Sequence, residues 1–203
     1  AMVDYLRGDQ SREAGRPGVG NTLRARSAVI GSIINSEPVI ASPRSDFGYG
    51  SFSATMFSGY SGTGGYVAAK ASRDTVVYVG ANDGMLHAFN ANTVPCTGDA
   101  SVACAAGGAG AEMFAFIPQA SLRQLGQLAL PDALYQHRYY VDGQITVTDA
   151  KDGSTWKTVL VATMGGGGRS VFALDVSDPD SFGDGDVLWE LNDQTNRDIG
   201  NIY

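Results

Sequence analysis

The chain has 203 residues, a length typical of one domain, and its 27 glycines are about twice the usual share of that residue. Hydrophobic residues make up 43% and charged residues only 17%, which excludes a disordered chain and a coiled coil; the glycines follow no three-residue period, which excludes collagen. A net charge of −7 without a basic stripe argues against a nucleic-acid partner. The sequence contains no run of 18 apolar residues, which is the length that a membrane-spanning helix needs.

The first third of the chain has weak signals for regular structure. Residues 1–26 are polar and glycine-containing, and we interpret them as an irregular lead-in. Residues 27–40 are apolar and β-branched, which predicts one or two strands. Residues 44–65 are rich in Ser, Gly and Tyr, which indicates a long loop with aromatic anchors. The lead-in holds the only basic cluster, which has two acidic residues among its members: Arg12, Arg16, Arg24 and Arg26, with Asp9 and Glu13.

After residue 74 the pattern becomes regular. β-branched or aromatic runs predict strands at Thr75–Gly80, Met85–Asn90 and Glu112–Ile117. Asn82-Asp83-Gly84 joins the first two as a tight hairpin turn, because Asp-Gly readily supplies the positive φ that such turns need. Leucines near helical spacing predict a short helix within residues 120–130.

A second copy of the same unit follows. The predicted strands are Ile145–Asp149, Trp156–Thr163, Ser170–Val176 and Val187–Leu191, with Gly165–Gly168 as the middle turn. Ala88-Phe89-Asn90 aligns with Ala173-Leu174-Asp175, and Phe114 with Trp189. We expect Trp156 and Trp189 to pack inside the sheets.

A repeated unit of four strands is typical of β-propeller blades, of which a closed propeller needs four to eight. The prediction is an all-β fold over residues 27–203: a partial β-propeller of about two four-stranded blades, with one short helix and long loops. Two blades leave bare sheet edges, so we expect a piece of a larger propeller, and self-association through exposed edges.

Cys96 and Cys104 are the only cysteines, and they stand close together in a small, polar segment. This favours a disulfide between them, which implies an oxidising compartment. Two free thiols are the alternative. Zinc is disfavoured, because neither histidine lies at a ligand spacing.

Four aspartates crowd into one glycine-containing loop, a composition that can bind Ca²⁺: Asp178, Asp180, Asp184 and Asp186. The order of residues in an EF-hand is not met, so an ordinary solvated loop is the favoured interpretation.

Gly165–Gly168 superficially suggests a phosphate loop, but the required lysine is missing and a strand follows. A hairpin turn that needs glycine is favoured there.

Two further features carry possible recognition or catalytic chemistry. Arg7-Gly8-Asp9 is an RGD triplet, which pairs a cation and a carboxylate as integrin ligands do, although such a triplet also arises by chance. His87 and His137 have no serine or cysteine partner in a recognisable nucleophile motif, so structural roles are expected for both.

The order of several motifs resembles that of the PilC/PilY family, most specifically at Tyr78–Phe89. The other matching segments are Tyr5–Asp9, Arg24–Ser27, Gly31–Pro38, His137–Gly143, Trp156–Val161, Ala173–Val176 and Leu188–Glu190. Ser32 departs from the family pattern, which commonly has Asp there. The resemblance implies the start of a modified, quinoprotein-like β-propeller in a large secreted protein of bacterial type IV pili.

By that resemblance, the expected function is a non-enzymatic pilus assembly factor and tip-associated adhesin. Such a protein supports pilus extension against retraction, surface attachment, twitching motility and virulence. Its expected partners are minor pilins, the pilus tip and a host-cell receptor. The expected location is the outer membrane surface and the pilus tip, reached through the periplasm.

The resemblance also implies calcium in an Asp-rich loop of the propeller, which we expect downstream of Tyr203 and do not assign to Asp178–Asp186. Two alternatives stay open. One is a purely structural priming scaffold without host contact. The other is a fragment of a quinoprotein dehydrogenase, for which no cofactor-stacking tryptophan or calcium cage is identifiable in the sequence.

Overall fold

The computed structural model describes residues 2–18, 20–53, 55–92 and 108–203. Within them, eight strands form two four-stranded antiparallel sheets, and each sheet takes its strands in chain order. Blade 1 contains β1 (Val39–Ala41), β2 (Val76–Gly80), β3 (Leu86–Asn90) and β4 (Glu112–Phe116). Blade 2 contains β5 (Ile145–Asp152), β6 (Thr155–Thr163), β7 (Ser170–Asp175) and β8 (Val187–Asn192). The predicted fold class, a partial β-propeller of two blades, is confirmed.

The two blades have the same strand pairing, including a β-bulge at equivalent positions. Pairing of the third and fourth strands shifts between Ala88 and Phe89 in blade 1. In blade 2 it shifts between Ala173 and Leu174, the aligned positions. Beside the bulge, Ala88 pairs with Phe114 just as Ala173 pairs with Trp189. Because a bulge bends its strand and increases the local twist, both blades curve at the same place.

The main hydrophobic core lies between the facing surfaces of the two blades. Alternate residues of the strands supply it, as the period of two in a β-strand requires. Phe114 of β4 also stacks on Phe182 from the β7–β8 connection, with ring centroids 3.9 Å apart. The buried members of this core are Val76, Tyr78, Leu86, Ala88, Val141, Ile145, Leu160, Ala162, Phe172, Leu174 and Val176.

Three predictions about local structure need correction. Of residues 27–40, only Val39 and Ile40 belong to a strand, β1; the backbone of Gly31, Ser32 and Asn35 bonds instead to the segments at 82–83 and 142. The helix expected within 120–130 is divided into α3 (Gln119–Leu122) and a 3₁₀ turn, Leu125–Ala129. Trp189 is 48% exposed, since its face of blade 2 has no neighbouring sheet in the described structure.

The residues between β1 and β2, numbers 42–75, are called the β1–β2 insertion here. Its described part contains two 3₁₀ turns and α2 (Tyr66–Lys70), and it folds across the β5–β6 hairpin of blade 2. Tyr49 stacks on Trp156 of β6 with ring centroids 5.6 Å apart. The Trp156 indole N–H donates to the carbonyl of Ser58 (3.0 Å). The predicted aromatic anchors therefore fasten an insertion of blade 1 to blade 2.

A buried ion pair forms the second attachment of the insertion. Lys70 of α2 contacts the Asp149 carboxylate of β5, and both side chains are at most 3% exposed. The same carboxylate accepts hydrogen bonds from the hydroxyls of Tyr60 (2.8 Å) and Thr158 (3.0 Å). Burial raises the pKa of Tyr60, as does the neighbouring Asp149, so the phenol remains protonated and donates.

The lead-in packs against the turn at Leu125–Ala129. It begins with α1 (Met2–Leu6), whose Tyr5 is buried and donates to the carbonyls of Arg24 (3.1 Å) and Leu128 (3.2 Å). The buried Glu13 carboxylate pairs with Arg26 (2.7 Å). None of the helices in the described ranges is long and apolar enough to cross a membrane.

Candidate functional site

The motif-bearing segments of the sequence meet at one end of blade 1, in a network that we call the polar seam. It joins residues 31–36, the turn at 82–84 and residues 137–143. Asn82 donates its backbone N–H to the carbonyl of Ser32 (3.0 Å), and its side-chain oxygen accepts from the N–H of Tyr140 (2.9 Å). The Asp142 carboxylate accepts from the backbone N–H (3.1 Å) and the side-chain amide (2.6 Å) of Asn35.

Close backbone contacts explain one glycine of the polar seam and one glycine that packs against it. A Cβ atom on Gly31 would lie 2.2 Å from the backbone nitrogen of Asp83. One on Gly167, in the turn between β6 and β7, would lie 1.7 Å from the carbonyl oxygen of Tyr140. The glycine run of that turn thus serves packing against the seam, which supports the hairpin interpretation over a phosphate loop.

His87 lies between two carboxylates beside the seam. Its Nδ1 is 2.5 Å from a carboxylate oxygen of Glu112, and its Nε2 is 3.1 Å from both of those of Asp83. Burial alone would lower the pKa of His87, but hydrogen bonds and charge from Asp83 and Glu112 raise it to about 9. Asp83 also accepts the N–H of Gly31 (2.6 Å) and of Met85 (3.2 Å). The protonated imidazole therefore links β3, β4 and the seam.

A cavity of about 380 Å³ lies between the lead-in and the polar seam. Arg24 and Arg26 of the lead-in line it, together with Ser32 and His137 of the polar seam. Ser32 Oγ and His137 Nε2 are 3.0 Å apart, within hydrogen-bond distance. In the described residues no carboxylate contacts His137, so the pair lacks the orienting group of a Ser-His-Asp triad.

Sequence patterns did not bring these cavity residues together. The basic cluster of the lead-in is divided by the structure, because only two of its four arginines reach the cavity. Ser32 and His137 are 105 residues apart. Each stands in a motif of the family resemblance, and that shared membership is the only sequence signal that could have suggested their contact.

The Arg7-Gly8-Asp9 triplet follows α1 directly, and Arg7 and Asp9 are both exposed. The Asp9 carboxylate accepts hydrogen bonds from the backbone N–H (2.7 Å) and hydroxyl (2.9 Å) of Ser11. These bonds lower the pKa of Asp9, so the carboxylate is charged. Arg7 lines a groove of about 720 Å³ that also contacts His87. The triplet is thus presented at the surface, but a receptor cation would compete with Ser11 for its carboxylate.

The acidic loop before β8 does not gather its carboxylates. Asp180 lies in the 3₁₀ turn Pro179–Ser181, whereas Asp184 and Asp186 lie in a second one, Asp184–Asp186, where Asp186 accepts the N–H of Gly183 (2.8 Å). Across the described parts of the chain, no group of three or more His, Cys, Asp or Glu is arranged to hold a metal ion. The loop contains the four carboxylates that were considered as calcium ligands from the sequence: Asp178, Asp180, Asp184 and Asp186.

The predicted disulfide between Cys96 and Cys104 falls outside the described residues, so it stays a prediction.

Comparisons with known proteins identify relatives of this chain. A family model described as the PilY1 beta-propeller domain matches residues 30–202. A type IV pilus biogenesis factor PilY1 homolog of Xylella fastidiosa is 42% identical over 203 residues, which cover 99% of this chain and 14% of that protein. Type IV pilus biogenesis factor PilY1 of Pseudomonas aeruginosa (strain UCBPP-PA14) is 36% identical over 204 residues, covering 99% and 15%.

Among solved structures, the Pseudomonas aeruginosa PilY1 C-terminal domain is 36% identical, with a TM-score of 0.45. The match covers 66% of this chain and 21% of that one. The chain spans about a seventh of the length of the curated relatives it matches.

Proposed function

This chain belongs to the PilY1 β-propeller family, and from that membership we propose that it is part of the propeller of a type IV pilus biogenesis factor. The observation that carries the proposal is the similarity to proteins of that name along nearly the whole chain. The two blades and their polar seam would provide a rigid support from which loops contact the pilus machinery.

The proposed role is non-enzymatic. His87 lies between Asp83 and Glu112, which occupy both of its ring nitrogens and leave neither free to act as a base. The Ser32–His137 pair has no orienting carboxylate in the described residues. Both observations favour binding and assembly over catalysis.

We further propose the finer features that the family resemblance implies. The protein would support pilus extension against retraction and hence twitching motility, with minor pilins and the pilus tip as partners. It would be secreted through the periplasm to the outer membrane surface and the pilus tip. Calcium would bind the longer protein outside this chain.

Deleting residues 30–202 from the full protein should abolish surface pili in the bacterium that encodes it. The physical reason is that both blades and the seam are lost together. Surface pilin measured by immunoblot after shearing tests this, and the wild-type gene supplied in trans should restore piliation. Normal piliation and normal twitching after the deletion, with the shortened protein present, would refute the assembly role.

Adhesion is a second candidate function, which the exposed position of Arg7 and Asp9 favours. Replacing Asp9→Glu keeps the charge but moves the carboxylate outward by one methylene group. We expect attachment to integrin-bearing cells to fall several-fold while piliation stays normal. Asp132→Glu, at another exposed aspartate, is the matched control. Attachment unchanged by Asp9→Glu would end the integrin hypothesis without touching the assembly role.

A further inference from the structure

Arg24 lies in the wall of the 380 Å³ cavity and bonds to its neighbours through both its backbone and its side chain. Its backbone N–H donates to Ala129 (3.3 Å), and its carbonyl accepts from the Tyr5 hydroxyl (3.1 Å). Its Nε donates to the carbonyl of Leu128 (2.9 Å), and its guanidinium lies 4.0 Å from the centroid of the Tyr135 ring. These contacts fix the guanidinium plane before any ligand arrives.

The two terminal nitrogens of Arg24 have no hydrogen-bond or carboxylate partner within the described residues. Of the other charged groups at the cavity, Arg26 pairs with Glu13, and Asp83 shares the protonated His87 with Glu112. Arg24 is thus the arginine of the cavity lining that has no carboxylate partner in the described residues. A guanidinium with a free fork binds carboxylates through two parallel hydrogen bonds.

The rest of the lining indicates a ligand that is polar on one side and apolar on the other. Ser32 contributes a hydroxyl that is within hydrogen-bond distance of His137 Nε2 (3.0 Å) and accepts from the Asn82 amide (3.3 Å). Leu6 and Ile30 supply apolar surface. The volume falls within the range of roughly 300–1,000 Å³ that is usual for small-molecule sites.

We propose that this cavity binds a small carboxylate that also carries hydroxyl groups, such as a uronic acid, with Arg24 holding the carboxylate and Ser32 a hydroxyl. This inference goes beyond the pilus role and does not depend on it. The same chemistry has two sources, a free hydroxy acid or a uronic acid unit of a polysaccharide. The cavity does not depend on the RGD triplet, whose aspartate side chain bonds to Ser11 instead.

The test is isothermal titration of the full protein with D-glucuronate, its neutral methyl ester and D-glucose. We expect D-glucuronate to bind and the two neutral sugars to bind at least 10-fold more weakly. Arg24→Gln should weaken D-glucuronate binding roughly 10- to 100-fold, since it removes a charge-assisted pair of hydrogen bonds. Hyaluronate oligosaccharides distinguish the sources: binding as tight as that of the monomer, or tighter, identifies a polysaccharide unit, and no binding identifies a free acid.

Two variants keep the result interpretable. Arg12→Gln removes an exposed arginine of the same basic cluster that does not line the cavity, and it should leave binding unchanged. Circular dichroism would reveal whether Arg24→Gln unfolds the lead-in. In that case Ser32→Ala provides an independent test, because it should also weaken D-glucuronate binding. The proposal is overturned if D-glucuronate does not bind, if the methyl ester binds equally well, or if an acidic peptide binds in its place.

Discussion

Replacing Asp149 with alanine is expected to lower the free energy of unfolding by about 3–5 kcal/mol. The substitution leaves the Lys70 ammonium buried without its carboxylate and removes the acceptor of the Tyr60 and Thr158 hydroxyls. Urea unfolding of the full protein, followed by tryptophan fluorescence, measures the loss. The signal is suitable because Trp156 lies 4.6 Å from the Tyr60 ring.

The same strand offers a control for this prediction. Asp152 ends β5, its side chain is 80% exposed, and it lies 3.9 Å from Lys157. Asp152→Ala should cost at most about 1 kcal/mol, as exposed pairs do. The double variant Lys70→Met/Asp149→Leu should recover most of the loss, because no unpaired charge is left buried. A loss below about 1 kcal/mol for Asp149→Ala would show that the pair does not stabilise the insertion.

The stability that His87 contributes to the folded protein should be lost in alkaline solution. Its pKa of about 9 in the folded protein exceeds the ordinary value of 6.5, so folding favours the protonated imidazole. The stabilisation is complete below about pH 6.5 and is lost as the pH rises through about 9, and it amounts to about 3 kcal/mol. Wild type should therefore lose more stability than His87→Gln between these two pH values.

Proton NMR provides a direct check on His87. The chain has two histidines, so the variant His137→Gln leaves His87 as the only imidazole in these residues. Its ring protons should titrate near pH 9, because Asp83 and Glu112 hold the charged form. Titration at or below pH 6.5 would mean that the two carboxylates do not hold the proton.

The blades could be predicted from the sequence because their signals are local. Runs rich in β-branched residues indicate β2 and β6, and Asp83-Gly84 indicates the hairpin turn, where Gly84 has a φ of +97°. The alignment of Ala88 with Ala173 agrees with the structure, which has a bulge at each of these positions. The expectation that Trp189 packs inside was wrong, because its exposure depends on what lies beside its sheet rather than on its own strand.

The candidate site could not be predicted, because its contacts join distant segments. Ser32 and His137 are 105 residues apart, and no local pattern indicates that they meet in the cavity wall. Arg24 belongs to a basic cluster whose other members are exposed or paired, and only the packing of Tyr5 and Tyr135 distinguishes it. Motif order revealed the family, but it did not reveal that the motifs converge in one polar seam.

The β1–β2 insertion also determines how the two blades would respond to a pulling force. A sheet whose strands run in chain order can be peeled strand by strand, which requires little force. Here the chain leaves β1, is fastened to the β5–β6 hairpin through Lys70 and Trp156, and only then returns to form β2. Tension that extracts β1 from blade 1 therefore loads contacts in blade 2 before β2 can separate. The two blades form one mechanical unit, and we expect a single rupture step rather than two.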